Sequence, residues 1–394
     1  MRSSEFPETS LAEPSGDVEN PTGAIDAVVA GLICLDFTPV FDHPPISRMS
    51  EIFRPASTVI VRQAVMNPGG CVSNTGLAMS HFGAKTALVA KIGKDAFGDR
   101  IFNHIARYTS TDYLLYSEEG TAYSVVLAPP GIDRMFLHCP AGNDTFSADD
   151  IDYSLVSRAR LFHFGYPTIM KRMYEQGGEE LTRMYARVKA LGVTTSLDSC
   201  GIDPLSPVGR INWELILERT IPFVDIFMPS AEELCYMLDR ERLRDWKERA
   251  GGGDVCTILE EGDVRTLAAR LLALGAGVVC VKCGACGYYV AAGTEERLAS
   301  VGKELAATLR PWNGLRHFEA SYKPDRVLSS LGAGDVSIAA FLTSLLDGCD
   351  WRTCVRRAVA AGAACVESYS VLDGLPTLAA LEDRIAAGWE KNDV

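Results

Sequence analysis

Apolar residues along this chain gather in short continuous runs, and between the runs they recur every three or four positions. The runs at 27–35, 86–91, 159–164, 193–197, 224–228 and 278–281 have the length of strands buried on both faces, and most of them are dominated by apolar residues. The stretches 148–159, 179–191 and 264–274 follow the helical period. Strands alternating with helices of this length predict βαβ units, and so an α/β domain whose mostly parallel sheet is covered on both sides. One further apolar run, 336–346, has the length of a buried helix.

Residues 37–66 and 111–138 break the rhythm and read as short strands and turns without helices. They either pair into a small sheet projecting from the main domain or remain two surface loops. Val59, Ile60, Val125 and Val126 are expected to be exposed on them, giving a small sheet a face in need of cover. Residues 1–24, rich in Ser, Glu and Pro, are expected to be a flexible tail ahead of one folded domain over 25–390.

Charge narrows the partners. Among 394 residues, 38 are Lys or Arg and 51 are Asp or Glu, a formal charge of −13, which disfavours nucleic-acid backbones and anionic membrane surfaces. The N-terminus lacks the apolar core of a secretory signal, and no apolar stretch is long enough to span a bilayer. A cytoplasmic protein is expected. The 12 cysteines lie mostly in apolar segments, as reduced cysteine does. Cys283 and Cys286 form a C-x-x-C that shares Cys283 with an overlapping Cys280-x-x-Cys283, without the separate second pair a zinc site needs.

Several chemistries have no motif here: the Walker-A loop, H-E-x-x-H, G-x-S-x-G and G-x-G-x-x-G are all missing. Two segments are informative instead. The first is Gly332-Ala333-Gly334-Asp335 at the head of the 336–346 run. A small-residue turn at a helix start aims backbone N–H groups and the positive end of the helix dipole at one point, which suits phosphate. Asp335 inside that turn either accepts a proton from an attacking hydroxyl or simply favours the helix N-terminus. The second segment is Asn67-Pro68-Gly69-Gly70-Cys71-Val72-Ser73-Asn74, followed by Gly83 and by Gly93-Lys94-Asp95-Ala96-Phe97-Gly98. Paired glycines let backbone approach a ligand or act as a hinge, and Asn74 carries donor and acceptor groups suited to sugar hydroxyls, or to a helix cap.

Together the two segments resemble the ribokinase/PfkB family of carbohydrate kinases, in the order that family uses, from about residue 26 to 380. The resemblance implies a ribokinase-like three-layer α/β/α domain with a small β lid, formed here by 37–66 and 111–138. It implies transfer of the ATP γ-phosphoryl group, with Mg2+, to a hydroxyl of a sugar or polyol. Asp335 would be the general base, and Gly332, Ala333 and Gly334 the anion hole. Asp36, Gly69, Gly70 and Asn74 would bind the acceptor, Asp36 being otherwise a strand-end turn residue. Lys282, Gly284, Gly287, Ser230 and Ala363 would line the nucleotide, or pack ordinarily. Glu233 would reach the metal through water. In this family the lids often pair between subunits, so a homodimer is expected.

Two positions depart from the family pattern. Ser329 stands where an Asp is usual, and Ser230 stands for the Asn of an N-x-x-E motif whose Glu233 is retained. Both losses weaken magnesium handling and make stimulation by potassium (K+) doubtful. They also keep open a non-catalytic sugar- or nucleotide-binding protein on the same fold. A nucleoside kinase is the other alternative, with Phe37, Phe41, Phe53 and Tyr123 as candidates for an aromatic slot.

Overall fold

The computed structural model describes residues 25–392 apart from positions 133 and 252, so the 1–24 segment lies outside the described residues. In chain order the strands are β1 (Ile25–Gly31), β2 (Cys34–Val40), β3 (Arg62–Gly69), β4 (Thr86–Gly93) and β5 (Leu114–Ser117). They continue as β6 (Tyr123–Leu127), β7 (Met135–Cys139), β8 (Ala159–Gly165) and β9 (Thr194–Leu197). The last are β10 (Ile226–Phe227), β11 (Val278–Lys282), β12 (Gly287–Ala292) and β13 (Arg316–Ala320).

Nine of them form one sheet in the order β13-β12-β11-β10-β9-β8-β1-β4-β5. Every pairing from β11 to β5 is parallel, whereas β12 and β13 turn back antiparallel at one edge. Successive residues of β1 serve opposite faces: Val28 and Ala30 join one apolar core, Ala27 and Val29 the other. That is why the strand reads as a continuous apolar run rather than an alternation. After β4 and β5 build outward on one flank of β1, the chain crosses to its other flank with β8. The carboxyl ends of β1 and β8 therefore open a crevice of the kind that binds ligands in open α/β sheets.

The remaining four strands make a separate small sheet, β3-β2-β6-β7. The sequence expectation for 111–138 needs correction here, because Leu114–Ser117 pairs with β4 in the large sheet. Val126, expected to be exposed, is buried at 3% exposure, while Ile60 at 81% sits outside any strand. Nor is 148–159 one helix. It breaks into short turns, Ala148–Asp150 and Tyr153–Val156, because Asp150 closes a capping box with Ser147 and Asp152 caps the next turn. Asp side chains that can bond nearby backbone N–H groups start turns better than they continue them. The 224–228 run is a ladder only at Ile226–Phe227.

Candidate active site

The helix Ala333–Leu346 is apolar nearly all round and is buried against two neighbours, the helices Cys71–His81 and Trp351–Cys365. Its cap is Gly332 at φ 74°, a left-handed conformation that disfavours side chains, and no side chain caps its first turn. Asp335 lies inside that turn at 3% exposure.

Three side chains converge on the Asp335 carboxylate. Asn74 Nδ2 donates to Oδ2 at 2.9 Å, Thr75 Oγ1 to Oδ1 at 3.3 Å, and the Tyr166 hydroxyl lies 2.9 Å from Oδ1 and 2.8 Å from Oδ2. Burial pushes the Asp335 carboxyl above the ordinary aspartate range, while Asn74, the Lys282 charge, Tyr166 and Thr75 pull it back. Asn74 and Thr75 come from the helix Cys71–His81, which starts on Gly70 at φ 86°. A Cβ at Gly70 would stand 2.5 Å from Leu32 O, and one at Gly69 would stand 2.2 Å from Asp36 Oδ2, so the glycine pair brings strand, helix and Asp36 into contact.

Asp36 is 7% exposed, accepts from Cys34 Sγ at 3.3 Å, and is raised by burial and by the Asp335 charge. It belongs to one rung of the small sheet, Asn67–Asp36–Ser124–His138, with one residue from each strand. The next rung, Met66–Phe37–Val125–Leu137, points to the opposite face. Phe37 therefore faces away from Asp36, and of the other slot candidates Phe41 packs on Phe53 while Tyr123 packs on Phe97.

On the other side of Asp335, Lys282 at the end of β11 donates to Asp198 at 2.5 Å, with the two side chains 13% and 1% exposed. Gly334 lies beside this lysine, since a Cβ built on it would be 3.6 Å from Lys282 Cδ. Burial raises the Asp198 carboxyl while the Lys282 charge and hydrogen bond pull it back, and the Asp198 and Glu233 charges raise Lys282 against its own burial. Ser230 and Glu233 cap each other across the start of the helix Ala231–Leu238: Glu233 N donates to Ser230 Oγ at 3.3 Å, and Ser230 N to Glu233 Oε2 at 2.9 Å. Ser199 Oγ also donates to Glu233 Oε2, at 2.9 Å. Ser329 spends its hydroxyl on a local turn, accepting from Leu331 N at 3.2 Å.

Other expected residues have packing duties. Gly287 lies where β13 passes so closely that a Cβ would be 2.0 Å from Glu319 O. Gly284 takes φ 54° in the turn between β11 and β12, and the flanking Cys283 and Cys286 are free thiols. Ala363 is 5% exposed in the apolar core. Asp95 caps the helix Ala96–Ile105 and accepts from Thr121 N, tying that helix to the start of β6.

Asp198, Tyr166 and Thr75 escaped the sequence reading. A faint signal existed for two of them: Asp198 follows the 193–197 run and Tyr166 follows the 159–164 run after one glycine, just beyond the carboxyl ends of parallel strands.

The sequence model of the pfkB family carbohydrate kinases matches residues 39–378. A protein of Archaeoglobus fulgidus described as an uncharacterized sugar kinase is 25% identical over 304 residues, covering 76% of this chain and 98% of that one. The 5-dehydro-2-deoxygluconokinase of Clostridium beijerinckii is 22% identical over 372 residues, 92% of this chain and 93% of its own. Among solved structures, Arabidopsis thaliana ribokinase complexed with ribose and ATP superposes with a TM-score of 0.65 at 19% identity, over 92% of this chain and 98% of that one.

Proposed function

Because the chain belongs to the pfkB family of carbohydrate kinases, we propose that it transfers the γ-phosphoryl group of ATP to a primary hydroxyl of a sugar or related polyol, with Asp335 taking the hydroxyl proton. The observation that carries this reading is a buried carboxylate inside the uncapped first turn of a helix. There a base and an anion-binding set of N–H groups share one point, as in-line phosphoryl transfer requires. The N–H groups of Ala333, Gly334 and Asp335 would take the charge of the transferring group. Asp36, Gly69, Gly70 and Asn74 would orient the acceptor beneath the small sheet, which would exclude water. Lys282, with the turn through Gly284 and Gly287, would face the nucleotide.

Magnesium prefers oxygen ligands and keeps several waters. Glu233, at the start of the helix Ala231–Leu238, is the carboxylate that fits an ion carried in on ATP, Asp198 being paired with Lys282. Bound there, it would offset charge on the phosphates, and Glu233 would reach it through water.

The test is ADP release by the full chain with ATP and magnesium across a panel of sugars, polyols and nucleosides. Turnover with a sugar or polyol is expected. Turnover with nucleosides alone would move the assignment to a nucleoside kinase. Thermal stabilisation by sugars without turnover on any acceptor would make this a binding protein.

The homodimer belongs to the same reading. β7 is one of the two edge strands of the small sheet, and its Met135, Phe136 and Leu137 are exposed. Sedimentation velocity should find a dimer, and a monomer at high concentration would remove this part of the proposal.

A further inference from the structure

Tyr166 is an unusual residue for its backbone. It sits one position beyond β8 at φ 69° and ψ 38°, a left-handed conformation that costs a bulky side chain about 1–2 kcal/mol and that Gly or Asn would adopt more readily. The following Pro167 opens a single turn, and Ile169 N donates back to Tyr166 O at 3.2 Å, so the strained residue is pinned from the chain that follows it. What the aromatic residue contributes in return is its hydroxyl, nearly equidistant from the two oxygens of Asp335 at 2.9 and 2.8 Å.

A carboxylate offers about four lone-pair positions. Asn74, Thr75 and Tyr166 present one hydrogen each to Asp335. One acceptor position therefore remains for an incoming hydroxyl, and a phenol equidistant from both oxygens can settle on either as that hydroxyl arrives. Burial drives the phenol's own pKa far above its ordinary value, so it stays a donor across the working pH range.

We propose that Tyr166 is the positioning residue of the transfer site: its hydroxyl, reaching across from the end of β8, keeps the Asp335 carboxylate ionised and oriented toward the acceptor. The assignment rests on the reading of Asp335 as the base. Other groups facing Asp335 are Lys282 from β11, Asp198 after β9, Asp36 from the small sheet, and the thiols of Cys71, Cys200 and Cys365. Lys282 acts in the same direction as Tyr166, whereas the carboxylates oppose it. Removing the phenol oxygen leaves all of these in place.

The test is a titration of Asp335 itself. In protein labelled with carboxyl-13C aspartate, the resonance missing from Asp335→Asn identifies the group, and its midpoint is then measured in wild type and in Tyr166→Phe. Loss of a hydrogen bond to a charged group should raise the midpoint by about one to two pH units. The acid limb of kcat should move up with it, and the acceptor KM should change little. Placing 3,5-difluorotyrosine at position 166 keeps the ring and strengthens the donor, so the midpoint should fall. An unmoved midpoint in either folded protein overturns the assignment. If Tyr166→Phe does not fold, the fluorinated protein alone decides. A shifted midpoint in a protein that phosphorylates no acceptor would uphold the placement of Tyr166 on Asp335 while removing the kinase reading.

Discussion

The helix Ala333–Leu346 begins on Gly332 with no side chain across its first turn, whereas the helix Ala231–Leu238 begins on Ser230, which bonds Glu233 N and receives Glu233 Oε2 in return. Both starts lie near Lys282, one through Gly334 beside its side chain and the other through the bridge pairing Ser230 with Lys282. Both carry acids in the first turn. The difference is in who answers the unpaired backbone donors. At Ser230 the chain answers them locally. At Gly332 the cap residue has no side chain to answer them, and under the proposed function they would serve a phosphate. A family motif at a helix start can thus mean a cap or a site, and the side-chain bonds decide which.

The largest effect that would break this contrast is loss of the base. Asp335→Asn should keep the fold and lose roughly 10²–10⁴-fold in turnover, and an unchanged kcat in a folded variant would remove Asp335 from the chemistry. The wild-type pH profile bears on the same point. A base must be ionised, and burial raises the Asp335 pKa. Activity should therefore fall on acidification at a higher pH than an ordinary aspartate would give.

Next in size is closing the open start. Gly332→Ala puts a Cβ 2.5 Å from Val371 Cγ2 at φ 74°. The strain should cost about 1–3 kcal/mol, read as a lower denaturation midpoint, and should raise the KM for ATP as the N–H groups shift. A variant with wild-type stability and KM would mean that the turn is not under this constraint.

The smallest effect is expected at the closed start. Ser230→Ala removes a cap worth about 1 kcal/mol and should lower stability with little change in turnover. Abolished turnover in a stable variant would make Ser230 part of the site after all. Ser230→Asn keeps a capping residue. It should lower the magnesium needed for half-maximal rate, and an unchanged requirement would show that the amide at this position is immaterial here.

β1, β4, β8, β9 and β11 all fall on predicted runs. β1 and β11 were readable because strands buried on both faces are apolar nearly throughout, whereas β9 is buried with two Thr and a Ser in its four residues. The small sheet was harder. Leu114–Ser117 and Tyr123–Leu127 are only a few residues apart and similar in character, yet one extends the large sheet and the other builds the small one. Partner choice of that kind depends on which edge is free, which no local pattern records.

At the site, the chain itself determined the glycine turns, because left-handed backbone and close approach at Gly70 and Gly332 admit little else. It also determined that Asp335 stands at the start of a buried helix. Only the tertiary structure decided what surrounds that carboxylate. Tyr166 lies 169 positions from Asp335, Asn74 lies 261 away, and the Asp198–Lys282 pair spans 84. Each of these is an ordinary polar residue until strands from distant parts of the chain end side by side. Hydrogen bonds between them form only after the sheet order is set, so their meaning is a property of topology.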